Sequence, residues 1–240
     1  MEIRGKRVLI TGANRGLGRA LAMACIRAGA GEVFAGTRNV EALEALGSSK
    51  IFPVKLDVTS DADVAAASRS VGRVDILINN AGVAVYGGVF KAAFEDIQRE
   101  IDINILGPLR VVRAFAPAMS EHGDGLIVNV SSQLGKVALP ATGTYCATKA
   151  ALLSLTQAMR GDLAHRGVRV IAVLPGAMDT DMTRNYDIPK TSPEKVAEEI
   201  LEAINTETRE TAVSEDARKL LSDLYADPVT VEDALAQFRA

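Results

Sequence analysis

Arg7-Val8-Leu9-Ile10-Thr11-Gly12-Ala13-Asn14-Arg15-Gly16-Leu17-Gly18 decides the fold. A short apolar run stops at a Thr-Gly step, and glycines follow at GxxxGxG spacing. An apolar-periodic segment then opens and runs to Gly29. This pattern is a strand turning sharply into a helix. Gly12 permits the turn, Gly16 lets a bound group approach the backbone, and Gly18 lets the helix pack close to the strand. The helix N-terminus then offers free N–H groups and the positive end of its dipole to a pyrophosphate. A glycine cluster by itself also serves any tight strand–helix turn. Its place straight after the first strand favours a dinucleotide.

The same alternation repeats outward from this unit. Strands are predicted at Arg7–Thr11, Glu32–Gly36, Ile51–Val58 (interrupted by Pro53), Val74–Asn79, Leu126–Ser131 and Val168–Leu174, with a short last one at Glu210–Ser214. Helical patterns lie between them at 16–29, 40–46, 60–70, 93–120 and 143–165. Ser192-Pro193-Glu194 reads as a cap with proline at the first helical position, opening a helix to Ile204. The rhythm predicts an α/β fold: a Rossmann-type doubly wound parallel sheet flanked by helices on both faces, in three αβα layers. No linker or repeat interrupts it, so residues 1–240 are expected to form one domain. Ligands of such sheets bind beyond the C-terminal strand ends.

Composition narrows the function classes. The 240 residues are 48% hydrophobic and 24% charged, as in globular chains, and 27 basic residues against 30 acidic leave a net charge of −3. That balance gives no basic footprint for nucleic acid. No run approaches a membrane span, and Val8-Leu9-Ile10 is too short for a signal-peptide core, so the expectation is a cytoplasmic protein. Cys25, Cys146, His122 and His165 form no metal-binding spacing, so no metal is expected. Asn129-Val130-Ser131 matches a glycosylation sequon by chance.

The chemistry lies in the residues just past the strand ends. The second strand runs into Thr37-Arg38, where an acidic residue would serve the adenosine ribose of NAD. Arg38 suits a 2′-phosphate instead, as does Arg15, although both also read as solvated surface arginines. NADP(H) is therefore preferred over NAD(H). Tyr145 and Lys149, spaced i,i+4, share a helix face. Tyrosine is a poor base near neutral pH, and an adjacent ammonium and a bound nicotinamide cation are expected to lower its pKa. Such a tyrosine gives a proton to a ketone oxygen or takes one from an alcohol. The bland alternative is a half-buried tyrosine beside a snorkelling lysine. Ser131-Ser132 closes the fifth strand where a substrate oxygen would lie. No GxSxG occurs, so nucleophilic hydrolysis fits poorly.

Together these elements resemble the classical short-chain dehydrogenase/reductase family, in its NADP(H)-preferring type. The motifs run from about residue 5 to 183: the glycine loop, Asn79-Asn80-Ala81-Gly82, Asn104, Ser132, Tyr145-Cys146-Ala147-Thr148-Lys149 and Pro175-Gly176. The resemblance implies a catalytic set of Asn104, Ser132, Tyr145 and Lys149. In it Tyr145 is the acid/base and Ser132 orients the substrate oxygen. Lys149 binds the nicotinamide ribose and lowers the tyrosine pKa, and Asn104 holds a water of the proton relay. It implies cofactor contacts at Gly12, Asn14, Arg15, Gly16, Leu17, Gly18, Thr37 and Arg38. Asp57 and Val58 would meet adenine, and Asn79, Ala81 and Gly82 the adenosine side, while Asn80 fixes the central strand. Pro175, Gly176, Met178 and Thr180 would flank the nicotinamide.

The expected substrate pocket is built by loops 83–92, 133–142 and 177–191. Val83, Val85, Tyr86, Leu134, Val137, Leu139 and Tyr186 make it apolar, which favours a neutral ketone, aldehyde or alcohol. Lys136, Arg184 and Lys190 are expected at the surface, and Cys146 packed between helices. The C-terminal segment departs from the family's glycine-rich tail, so a homodimer through the helices at 95–120 and 143–165 is preferred over a tetramer. The activity implied is NADP(H)-dependent carbonyl reduction or alcohol oxidation. A non-catalytic NADP(H)-binding sensor is the alternative, and isomerisation or dehydration on the same scaffold a smaller one.

Overall fold

In the computed structural model, residues 1–238 are described. Strands β1 (Arg7–Thr11), β2 (Glu32–Thr37), β3 (Ile51–Lys55), β4 (Ile76–Asn79), β5 (Gly125–Val130), β6 (Val168–Pro175) and β7 (Glu210–Val213) form one parallel sheet in the order β3-β2-β1-β4-β5-β6-β7. The order reverses at β1 and β4, which opens a crevice beyond their C-terminal ends. Pro53 lies in the edge strand β3, where its missing N–H costs no ladder bond on the open side.

Alternation along each strand divides the core. Val8, Ile10, Ile76, Ile78, Leu126 and Val128 face the layer that holds α1 (Gly16–Arg27) and α7 (Pro193–Thr206). The opposite row is Phe34, Leu9, Leu77, Ile127 and Val170, in register across five strands. It packs on α2 (Asp61–Val71), α5 (Gly107–His122) and α6 (Gly143–Ala164). A fully buried aliphatic side chain of this kind contributes about 1.5–3 kcal/mol relative to exposure. The result is the three-layer αβα arrangement.

Two short helices, α3 (Gly88–Lys91) and α4 (Phe94–Ile101), precede α5, and α8 (Glu215–Ala226) and α9 (Pro228–Leu235) end the described chain. The helical span expected over 93–120 is not continuous. A π-turn at Asp102–Leu106 separates α4 from α5. Widening the helix there lets Asn104 turn its amide onto the loop after β4: it accepts from Val83 N–H at 3.0 Å and donates to the Val83 carbonyl at 2.8 Å. The third strand ends at Lys55 rather than Val58, because Asp57 accepts from the backbone and hydroxyl of Thr59 and turns the chain. Among the described residues no helix is long and apolar enough to cross a membrane.

Candidate active site

The site collects at the C-terminal strand ends. After β1, Gly12 and Gly16 both have positive φ, +67° and +51°. A Cβ on Gly12 would lie 3.0 Å from Ala81 Cα, and one on Gly18 would strike the Gly12 carbonyl. The helix therefore approaches the strand only because Gly18 has no side chain. The first turn of α1 has no side-chain cap. Its N–H groups remain available, and the bare glycine cradle in front of them fits a pyrophosphate.

Asn80 fixes the neighbouring strand end as expected, donating to the Thr11 carbonyl at 2.9 Å, while Thr11 Oγ1 accepts from Asn80 and Ala81 N–H at 3.0 Å each. Asn79 points into the sheet and donates to Asn129 Oδ1 at 2.9 Å. Asp57 and Val58 stand where the chain leaves β3. Thr37 is buried and closes a turn by donating to the Asn39 carbonyl at 3.1 Å. Arg38, next to it, is exposed and in no ion pair among the described residues. Arg15 differs: its guanidinium pairs at 3.0 Å with Asp181, which lines a cleft of about 620 Å³ together with Gly16, Arg19, Met23, Asp179, Thr180 and Pro193. Leu17 is buried behind the loop, and Asn14 is half-buried.

Ser132, Tyr145 and Lys149 converge. The two serines part at the end of β5. Ser131 donates to the Lys149 carbonyl at 3.0 Å and so ties α6 to the sheet. Ser132 accepts from Leu134 N–H at 3.1 Å and hydrogen-bonds Tyr145. Lys149 is buried, donates to the Val130 carbonyl at 2.9 Å, and sits 5.6 Å from the centre of the Tyr145 ring. Gly82 lies against Lys149 and Asn104: a Cβ there would meet Lys149 Nζ and Asn104 Oδ1 at 3.4 Å each. Asn104 also donates to Thr148 Oγ1 at 2.9 Å. Its amide thus joins the loop after β4 to α6.

The protein groups around Tyr145 act beside the lowering expected from a bound nicotinamide cation. Burial pushes its pKa above the usual tyrosine value, outweighing the Ser132 hydrogen bond that favours the phenolate. Lys149 moves the other way: burial lowers it to about 8. The ammonium is thus less firmly held than the sequence alone suggests, and the tyrosine more firmly protonated.

Residues 177–191 cover one side. The Tyr86 and Tyr186 rings meet at a tilt of 44° with centres 5.5 Å apart, and the Tyr86 hydroxyl donates to the Met182 carbonyl. The turn Pro175-Gly176-Ala177 is gripped from α8, where Asp216 accepts from Ala177 N–H at 2.9 Å, and from Ser214 just before it, which accepts from Gly176 N–H at 3.2 Å. Met178 bridges to Thr191, and Thr180 caps a short turn over Asp181–Thr183. Cys146 is buried, with Leu139 N–H donating to its sulfur at 3.3 Å. Lys136 pairs with Glu210 at 2.7 Å and Arg184 with Asp181.

Two residues beside the site escaped the sequence reading. Asp216 had no signal, because its partner lies 39 residues away. Glu100 did have one: it precedes Asn104 by four positions, on a helix. Among the described residues no metal-binding cluster occurs.

Known proteins share this arrangement. The profile of the short chain dehydrogenase family matches residues 6–190. The chain belongs to the short-chain dehydrogenase family. Among related sequences, oxidoreductase UcpA of Salmonella typhimurium is 36% identical, over 100% of this chain and 89% of its own. An uncharacterized oxidoreductase of Thermotoga maritima is 35% identical over 75% of each chain. Among solved structures, a short chain dehydrogenase from Burkholderia cenocepacia in complex with NADP superposes with a TM-score of 0.93, at 38% identity, covering 98% of this chain and 99% of that one.

Proposed function

We propose that this short-chain dehydrogenase is an NADP(H)-dependent carbonyl reductase or alcohol dehydrogenase acting on a small, mainly apolar substrate. The observation that carries the reading is the convergence of Ser132 and Lys149 on Tyr145. Ser132 holds the substrate oxygen. Tyr145 gives that oxygen its proton in reduction and takes it back in oxidation. Lys149 stabilises the phenolate left behind. A nicotinamide cofactor held by the glycine cradle and Lys149 would supply or accept the hydride at the carbonyl carbon. Burial that keeps Tyr145 neutral suits it to act as an acid, the direction of carbonyl reduction.

The cofactor preference rests on Arg38, exposed at the end of β2 and in no ion pair among the described residues, and on the NADP held by the Burkholderia relative. Gly12, Asn14, Gly16, Leu17 and Gly18 would cradle the pyrophosphate, with Arg15 free to join once it leaves Asp181. Lys149 would meet the nicotinamide ribose. Loops 83–92, 133–142 and 177–191 would shape the substrate pocket of one domain. A homodimer would form through the helices at 95–120 and 143–165, where the exposed Leu106 lies beside α5, and light scattering of the purified chain checks it.

The deciding experiment follows NADPH and NADH oxidation with a panel of ketones, aldehydes and diketones, for the parent and for Tyr145→Phe. The expected result is turnover favouring NADPH, reduced roughly 10²–10⁴-fold by the substitution with the fold intact. A Tyr145→Phe variant as active as the parent would overturn the role of the tyrosine. Equal use of both cofactors, unchanged in Arg38→Ala, would overturn the cofactor preference.

A further inference from the structure

Local rules break twice in a short stretch where β7 meets α8. Ser214 is fully buried and has φ +104° and ψ 152°, a backbone conformation that glycine takes and other residues rarely do. Asp216, two residues on, has one carboxylate oxygen, Oδ1, sealed from solvent with no hydrogen-bond partner among the described residues. Strain and an unsatisfied buried oxygen both cost stability. Breaches of local rules that persist together mark places held for a function.

Both residues act on one turn. Val213 pairs with Pro175, so the chain leaving β7 passes beside the chain leaving β6. Ser214 Oγ accepts from Gly176 N–H at 3.2 Å, and Asp216 Oδ2 accepts from Ala177 N–H at 2.9 Å. Glu199 fixes this elbow from α7: its Oε2 accepts from Ser214 N–H at 2.8 Å and from Arg218 at 2.6 Å. The strained backbone thus presents the Ser214 N–H to Glu199 and the hydroxyl to Gly176 at once.

The turn opens a stretch that joins the two ends of the candidate site. It leaves β6 beside the end of β5, where Ser132 follows: Val130 pairs with Val173, and Ser131 N–H donates to the Val173 carbonyl at 2.9 Å. It reaches the glycine cradle at Thr180, whose Cγ2 would lie 3.4 Å from a Cβ on Gly16. The nicotinamide half of a dinucleotide has the same two ends to join, a pyrophosphate in the cradle and a reacting carbonyl at Tyr145.

We propose, on the reading that a nicotinamide cofactor binds here, that Ser214 and Asp216 are positioning residues: they set residues 175–180 as the wall along which the nicotinamide half of the cofactor lies. Each acts through a peptide N–H of the Gly176-Ala177 step, and neither joins the reacting groups.

The test compares each cofactor with the same molecule lacking the nicotinamide, by calorimetric titration of the full chain: NADPH against 2′-phospho-ADP-ribose, and NADH against ADP-ribose. For Asp216→Ala the expected result is NADPH bound roughly tenfold more weakly with 2′-phospho-ADP-ribose unchanged, as loss of one hydrogen bond is felt only where the nicotinamide lies. Asp216→Asn keeps an oxygen for Ala177 N–H and should stay near the parent. Equal losses for cofactor and fragment mean general loosening and overturn the proposal, and so do unchanged affinities for both. If Asp216→Ala does not fold, Ser214→Gly decides on the same ratio, since glycine accepts the backbone conformation and only the hydroxyl is removed. A chain that favours NADH shows the contrast in the second pair, which would end the NADP(H) preference and support the proposal. A parent that binds neither cofactor overturns the cofactor reading and the proposal together, whereas equal losses in the variant overturn the proposal alone.

Discussion

Gly18 and Gly176 both sit where a side chain would collide, but with different things. At Gly18 the added Cβ would strike the Gly12 carbonyl and come within 2.6 Å of Asn80 Nδ2. At Gly176 it would strike the carboxylate of Asp216. The first neighbour is backbone held in the sheet; the second is the tip of a side chain on a surface helix. The contrast extends to the two regions around them. The first βα unit is shaped by main-chain geometry, through glycines at positive φ and Thr11 and Asn80 bonded to peptide groups. The region after β6 is held by side chains from distant positions: Asp216 on Ala177, Glu199 on Ser214 and Arg218, Asp181 on Arg15. Backbone-defined sites resist substitution; side-chain-defined ones can be re-cut.

The largest expected effect tests the rigid half. Gly18→Ala must push α1 from the strand, and no partner can be trimmed to make room. Overpacking of this kind costs about 3 kcal/mol or more when backbone is the obstacle. Urea denaturation should show that loss, and NADPH binding by fluorescence should fall with it. Adding Asn80→Ala should recover little, because the Gly12 carbonyl remains. A Gly18→Ala protein as stable as the parent would break the comparison at its first term.

The next effect lies at the buried ammonium that joins the halves. Lys149 has a folded value of about 8 against 10.5 for the free side chain. Its unfolded form therefore binds more protons between those pH values, so this group makes stability rise as pH increases through the window. Below pH 8 both states are protonated and the burial penalty is constant. Lys149→Met removes the dependence. The variant's stability advantage, roughly 3 kcal/mol at pH 7.5, should shrink toward zero by pH 10.5. Paired denaturation curves at half-unit steps check it, and a constant difference would contradict the buried, depressed lysine.

These two sites also mark how far the sequence could be read. The glycine loop, Tyr145 and Lys149 were legible because spacing alone places them: a strand fixes the turn, and i,i+4 fixes the shared helix face. Ser132 was separable from Ser131 only by resemblance, and the structure supplies the physical difference, one hydroxyl facing Tyr145 and the other bonded to α6. The π-turn at 102–106 left no trace, since neither glycine nor proline breaks Asp102-Ile103-Asn104-Ile105-Leu106. It follows from a tertiary demand, the bonds from Asn104 to Val83. Burial opposes the lowering expected at Tyr145 from Lys149 and a bound nicotinamide cation, and it went unread for a related reason: charge proximity is visible as spacing, and burial is not. Arg15 looked free for a phosphate because Asp181 lies 166 positions away.

A moderate effect sharpens the side-chain half. Gly176→Ala should cost about 1–3 kcal/mol, because Asp216 must leave the Ala177 N–H. Trimming Asp216 to alanine removes the obstacle. The double variant should therefore be more stable than the sum of the singles by about 1 kcal/mol, a coupling read from a double-mutant cycle. Simple additivity would mean that the turn is held by something other than Asp216.

The smallest stability effect belongs to the Arg15–Asp181 pair, whose side chains are 69% and 47% exposed. An ion pair so open to water contributes about 0–1 kcal/mol, and Asp181→Asn should change the melting curve little. Binding is where the pair matters. Arg15 stands just before α1, in the glycine loop, and Asp181 draws its charge toward the covering segment. Freeing it should tighten NADPH more than NADH at low ionic strength, because only NADPH carries the extra phosphate. Raising the salt should erase the gain, since exposed charges are screened over about 10 Å at 0.1 M. Equal tightening of both cofactors would place Arg15 on the shared pyrophosphate instead. No change in either would mean that Arg15 belongs to the covering segment and leave the extra phosphate to Arg38.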